Sequence, residues 1–299
     1  MGTFNANTFA ADTFGIGHGE GGEMKIYSQF RYTNPLAEPG SPEHTYGHVY
    51  QLVLEQRYGV EHLNTYYFKY LEGLAIDEED FRTKLEINER FPDRCFIMLN
   101  LETVPWSICD TSYNPKPEVI AARIELLELA KSLRPDCTFA YYGQPPSSDY
   151  EKVTSFEHKW IDLLEASRDL VELQDCLIPE FYFRDVVYSP GWSRQVAFTP
   201  KRAKEWATTV CRTLPAMFPS TEVRPIMWPM SWSWAKANSG YGSTDFEWTP
   251  QKAIESRVRL PVWEPVLDVV RKECKSLIIW GEGHAPWDAN ADWFLELIS

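Results

Sequence analysis

The chain has 299 residues, 44% hydrophobic and 24% charged, which supplies a substantial core and excludes a disordered or fibrous chain. A formal net charge of −14 with no basic stripe argues against a nucleic-acid partner. It also argues against capture of polyanions by overall charge, a local basic cleft aside.

No apolar run reaches membrane-spanning length, so no membrane role is expected. Residues 1–12 lack the basic start and apolar stretch of a signal peptide. The expected location is cytoplasmic, or secreted or periplasmic if a signal has been removed. Oligomeric state is not legible. Six cysteines (Cys95, Cys109, Cys137, Cys176, Cys211 and Cys274) form no CxxC, and neither they nor the scattered histidines show zinc-ligand spacing. Buried thiols are expected, with no metal and no cofactor. Twelve Trp, 15 Tyr and 16 Phe are to be divided between the core and a cleft for flat sugar faces.

In chain order, Met24–Phe30 reads as a strand, and helical patterns follow over 44–58 and 77–91, with 63–74 ambiguous. Glycines at 15–22 lack the Lys-Ser/Thr ending of a phosphate loop and read as a surface loop. Cys95 to Glu102 is an apolar strand ending in Asn100 and Glu102, which alternation puts on one face with Leu101 on the other. Pro117 to Leu133 is an amphipathic helix stopped before Pro135, and Cys137 to Gly143 is a strand. A helix over 156–173 leads to a strand over 176–183. Thr199-Pro200 opens another helix, followed by a strand over 223–230. The segment 250–275 is largely helical, Ser276 to Gly281 is the last strand, and 292–298 is a short helix.

Alternation of short apolar strands with helices predicts a parallel α/β sheet closed as a TIM-like barrel, possibly distorted, in one domain over 1–299. Catalytic groups of such barrels sit at the strands' C-terminal ends. Those ends carry Asn100, Glu102, Tyr141, Tyr142, Glu180, Tyr182, Trp228, Trp280 and Glu282. Carboxylates among tyrosines and tryptophans suit glycoside chemistry, which needs an acid for the leaving oxygen and a group to stabilise an oxocarbenium-like carbon. No G-x-S-x-G elbow points to an esterase.

Five segments resemble the hyaluronidase family of glycoside hydrolases in the same order: Phe4–Thr8, Met24–Gln29, Leu129–Pro145, Ile178–Phe183 and Ile278–Gly281. The resemblance implies a distorted barrel and a retaining mechanism in which the substrate's acetamido oxygen attacks the anomeric carbon. The family's Asp-x-Glu reads Asn100-Leu101-Glu102 here. Glu102 maps onto the acid/base, and Asn100 departs from the family by offering an amide to the acetamido group. The resemblance further implies that Tyr142 and Tyr182 contact the sugar and that Trp280 walls the site. Glu180 stands where the family has a Ser. A cross-link of the secreted animal enzymes has no counterpart cysteines in Phe9–Asp12 or Asp288–Asp292, which suits a microbial protein or a reducing compartment.

The expectation is therefore a glycosidase for a polysaccharide or glycan containing N-acetylhexosamine, of glycosaminoglycan type. One alternative pairs Glu102 with Glu180 or Glu282 as two conventional carboxylates on a sugar without acetamido groups. Another is a barrel that binds carbohydrate without chemistry.

Overall fold

The structure, a computed structural model, describes residues 24–29, 59–68, 73–86, 93–101, 104–143, 150–155, 157–183, 186–188, 195–229, 260–280 and 295–297. The family-like segment Phe4–Thr8, the glycines at 15–22 and the expected helix at 44–58 lie outside those residues.

The chain lays down β1 (Lys25–Gln29), β2 (Glu61–His62), β3 (Asn64–Tyr67), helix α1 (Glu78–Glu86) and β4 (Phe96–Asn100). Helix α2 (Pro117–Leu133) leads to β5 (Thr138–Tyr141), and α3 (Tyr150–Ser155), α4 (Glu157–Ala166) and α5 (Arg168–Leu173) follow. Then come β6 (Cys176–Leu177), β7 (Glu180–Tyr182), β8 (Val186–Tyr188), β9 (Gln195–Ala197) and α6 (Pro200–Met217). The chain continues through β10 (Glu222–Val223), β11 (Ile226–Trp228), α7 (Leu260–Glu273) and β12 (Ser276–Trp280). Helix α6 starts as its sequence dictates, with the Thr199 side chain accepting from Arg202 N–H and Pro200 in the first turn.

The strands follow one another as a ring. One parallel sheet runs β2-β1-β12-β11-β7, another runs β3-β4-β5, and β6 pairs β10. Only Leu63 separates β2 from β3, so the two larger sheets meet there. The expected strands over 176–183 and 223–230 are each split, β6 from β7 and β10 from β11. Pro179 and Pro225 sit at the breaks, since proline has no N–H for the ladder.

The ladder is interrupted between β5 and β6, where side chains take over. Asp175 N–H donates to Phe139 O (3.0 Å), Phe139 N–H to Asp175 Oδ2 (2.7 Å), and Tyr141 N–H to the buried Gln174 Oε1 (2.8 Å). The edge is thereby satisfied without pairing.

Alternation sorts the side chains. Tyr27, Leu63, Phe96, Met98, Ala140, Cys176, Ile178, Ile226 and Ile278 fill the inside of the ring. Their neighbours face outward: Ile97, Leu99 and Phe139 pack with Leu127 of α2, while Phe181, Met227 and Ile279 pack with Trp206 of α6 and Trp263 of α7. Trp106, Trp160, Trp206 and Trp263 are fully buried in this outer layer, so most of the described tryptophan is core.

Other expectations are corrected. The helix over 156–173 breaks at Ser167, whose Oγ donates to Leu163 O (2.7 Å), and α3 precedes it as a separate turn. The antiparallel hairpin β8-β9 was not foreseen. Cys137, Cys176, Cys211 and Cys274 are buried, whereas Cys95 and Cys109 are half-buried. Burial and the Cys137 thiol, 3.6 Å away, push the Cys95 thiol up to about 12. No described helix is long and apolar enough to cross a membrane.

Arg224 closes the end of the ring where the strands begin. Its guanidinium lies 4.8 Å from the Tyr27 ring centroid and 5.0 Å from that of Phe96, and pairs with Glu222 at 2.8 Å. Ser276 Oγ donates to the other Glu222 oxygen (2.6 Å). Burial raises the Glu222 pKa, but the bonds from Arg224 and Ser276 outweigh it and leave the carboxyl below its ordinary 4.5. A depressed carboxylate contributes stability that is complete above its unfolded pKa and is lost as pH falls through the folded one. Glu222→Gln is expected to lower stability at pH 7 by about 1 kcal/mol and to flatten its loss below pH 4.5, as urea unfolding at pH 7 and pH 3 will show.

Candidate active site

The same alternation gathers polar and aromatic groups where the strands end. Asn100 follows Phe96 and Met98 on the inner face of β4 and is 5% exposed. Tyr67 is its register partner on β3, Tyr182 and Trp228 are partners on β7 and β11, and Gln29 is the partner of Trp280 on β12. Tyr142 follows β5 directly, with its N–H donating to Leu99 O (2.9 Å).

The rings form a chain across the mouth. Centroids are 5.5 Å apart for Tyr182 and Trp228, 6.3 Å for Tyr142 and Tyr182, and 6.0 Å for Tyr142 and Trp280. Because β5 and β12 are not neighbours, Tyr142 and Trp280 meet across the barrel rather than along its wall. Trp228 and Tyr142 are buried, whereas Tyr182 and Trp280 are half-buried, so the last two are the rings of this chain left to meet a sugar face.

Glu180 also faces inward, half-buried, as the register partner of Ile226. Its carboxylate lies against Gly143, which has φ +63°. A Cβ at 143 would overlap Glu180 Oε1 and strain the backbone, so glycine is required twice over.

The structure brings together six of the nine expected residues: Asn100, Tyr142, Glu180, Tyr182, Trp228 and Trp280; Tyr141 instead packs outward against α2. Glu102 and Glu282 lie outside the described residues. Strand β4 ends at Asn100, and Leu101, off the strand, is buried.

Sequence reasoning missed three contributors. Tyr67, 38% exposed beside Asn100, fell in the ambiguous stretch 63–74. Gly143 was read as part of a strand. Arg123 was passed over, although it sits in the buried stripe of α2 with Ile120, Leu127 and Ala130, where a charge is out of place.

The Arg123 guanidinium is 3% exposed and donates to Leu101 O (2.8 Å) and twice to Trp106 O (2.7 and 3.0 Å). It lies 5.0 Å from the Tyr141 ring centroid, and the Tyr141 hydroxyl donates to Arg123 O (2.8 Å). Burial pushes that phenol well above its usual range, so it remains a donor. One buried cation thus ties down the main chain on both sides of Glu102.

No group of three or more His, Cys, Asp or Glu among the described residues is placed to hold a metal.

Bee venom hyaluronidase has a similar structure, with a TM-score of 0.51 and 15% identity over 87% of this chain and 91% of that one. The fold is that of a TIM barrel. A Pyrococcus furiosus chitinase domain is also similar (TM-score 0.44, 11% identity, 92% of this chain and 85% of that one). So is an endo-1,4-β-D-mannanase from Thermotoga petrophila (0.44, 13%, 92% and 89%). No protein-family model matches the sequence, and no curated protein does.

Arg123→Met should strand the carbonyls of Leu101 and Trp106 in the core and cost about 3 kcal/mol, read as a lower urea midpoint with an unchanged slope.

Proposed function

We propose that the protein is a glycoside hydrolase acting on a polysaccharide or glycan that contains N-acetylhexosamine. The observation that carries this reading is the convergence of buried Asn100 with Tyr142, Tyr182, Trp228 and Trp280 at the C-terminal mouth of a parallel barrel. The likeness of the fold to bee venom hyaluronidase is consistent with it.

In this reading Glu102 is the general acid that protonates the leaving oxygen and then the base that activates water. The acetamido oxygen of the substrate is the nucleophile, so a second carboxylate is not needed for the retaining route. Asn100 orients that acetamido group by hydrogen bonding. An amide does this without a charge, so it aligns the nucleophile but stabilises the cationic intermediate less than a carboxylate does. The tyrosines and tryptophans hold the sugar faces and exclude water.

Glu180 favours a second reading, in which it and Glu102 act as a conventional carboxylate pair on a sugar without acetamido groups. A separation of about 5 to 5.5 Å between their carboxyls suits retention, and a larger one suits inversion.

Glu102→Gln is expected to lower kcat by on the order of 1,000-fold with an unchanged circular-dichroism spectrum, in a reducing-end assay on N-acetylated and non-acetylated glycans. Turnover at the wild-type level would remove Glu102 from the acid role. Asn100→Ala should cost about 100-fold on N-acetylated substrates. A negligible effect there would favour the two-carboxylate route.

A further inference from the structure

We infer that Cys95 and Cys137 form a modification site: they take an oxidising equivalent from a low-molecular-weight disulfide and close into a reversible bridge that staples the β4–α2–β5 unit. The inference stands apart from the glycosidase reading and does not depend on it.

Two strands bring the sulfurs together. Phe96 and Thr138 are register partners in the parallel pair β4-β5, and Cys95 and Cys137 each stand one residue before them. Neighbouring strands lie about 4.8 Å apart, inside the range of about 4.4 to 6.8 Å that bridged Cα atoms span. Both side chains enter the outer layer, and their Sγ atoms are 3.6 Å apart. A bond of about 2.05 Å is therefore reached by rotating side chains.

The main chain on either side is already fixed. Thr138 N–H donates to Cys95 O (3.0 Å), Cys137 N–H donates to Arg134 O (3.1 Å), and Arg94 N–H donates to Asp136 Oδ2 (2.9 Å). Asp136 also accepts from the Arg134 side chain, at 3.3 and 3.4 Å. The turns that enter β4 and β5 are thus held together before any sulfur bond forms, which favours closure over attack by a second molecule.

Access separates this pair from the other one. Cys211 of α6 and Cys274, just after α7, also share a hydrogen bond, but they are only 1% and 8% exposed. Cys95 is half-buried, so a small oxidant reaches its sulfur, with buried Cys137 beside it as the resolving thiol.

The Cys95 thiolate attacks one sulfur of the oxidant, which breaks the oxidant's S–S bond, forms a mixed disulfide and releases one thiolate. The Cys137 thiolate then attacks the Cys95 sulfur and expels the second. Two protein thiols give up two protons and two electrons, and the oxidant leaves as two thiols. Burial and Cys137 push the Cys95 thiol up to about 12 against the nearby charge of Arg134, so little thiolate is present at pH 7. Closure is therefore slow, and the pair responds to sustained oxidation rather than to a brief pulse.

The bridge joins positions 42 apart and encloses Asn100, Glu102 and Arg123 in its loop. It restricts the unfolded chain and leaves the mouth untouched, because Asn100 lies at the far end of β4.

The test holds the reduced protein with excess oxidised glutathione at pH 7, alkylates the remaining thiols in urea and maps the digest by mass spectrometry. Linked 95–137 peptides should appear over hours, with Cys211 and Cys274 recovered alkylated. Dithiothreitol should reverse the link, and the bridged protein should melt about 5 to 10 °C higher. Cys137→Ala should stop at a glutathione adduct on Cys95, and Cys95→Ala should slow capture at Cys137 by about 10-fold or more.

The mapping of the wild-type protein decides the matter even where a variant fails to fold. Both thiols intact after prolonged exposure, a lasting glutathione adduct on wild-type Cys95, or a Cys211–Cys274 bridge that forms first would overturn the proposal. So would a 95–137 bridge that leaves the melting temperature unchanged.

Discussion

Register between parallel strands is the constraint on which the mouth depends. Side chains alternate strictly along a strand, so shifting β4 by one residue against β3 and β5 would carry Asn100 to the outside and Leu99 or Leu101 to the inside. Such a slip would also place Phe96 and Met98 against α2 and turn Ile97 into the ring. The apolar layers on both faces therefore hold the polar end of the strand in place. Each inward group at the mouth sits above inward apolar residues of its own strand: Asn100 above Met98, Tyr142 above Ala140, Trp228 above Ile226 and Trp280 above Ile278.

A barrel that buries both faces must account for every polar group it encloses. This one relies on a few long side chains where the ladder fails. Gln174 and Asp175 replace a missing strand pair beside β5, Arg123 replaces hydrogen bonds that the chain after β4 leaves open, and Arg224 with Glu222 fills the end where the strands start. Two of these are arginines whose guanidinium also lies over aromatic rings, Tyr141 for Arg123 and Tyr27 with Phe96 for Arg224. A weakly hydrated planar cation costs less to bury there than an ammonium group.

Where local chemistry was decisive, the sequence could be read directly. Helix α2 begins at Pro117 and ends two residues before Pro135, and β12 begins and ends within a residue of the expected bounds. Asn100 and Trp280 were legible because each closes an apolar run, whereas Tyr182 and Trp228 follow runs broken by Pro179 with Glu180 and by Arg224 with Pro225. Tyr67 was not, because Asn64, Thr65 and Tyr66 beside it are buried by neighbours distant in sequence, and no alternation marks the strand. The role of Arg123 was also hidden. Its helical position signals burial, but the carbonyls that accept its hydrogen bonds belong to a segment 17 to 22 residues away.

Asn100 and Glu180 acquire meaning together. The hyaluronidase-like pattern puts two carboxylates on one strand end, where each raises the cost of ionising the other. Here position 100 is an amide, and the sequence places Glu180 on β7 where that pattern has a serine. Negative charge is thus moved around the ring rather than removed. In the proposed function, an amide at 100 aligns an acetamido group and leaves Glu102 without a charged neighbour two residues away in the sequence. A carboxylate at 180, admitted by Gly143, shifts the polarity of the mouth toward β7.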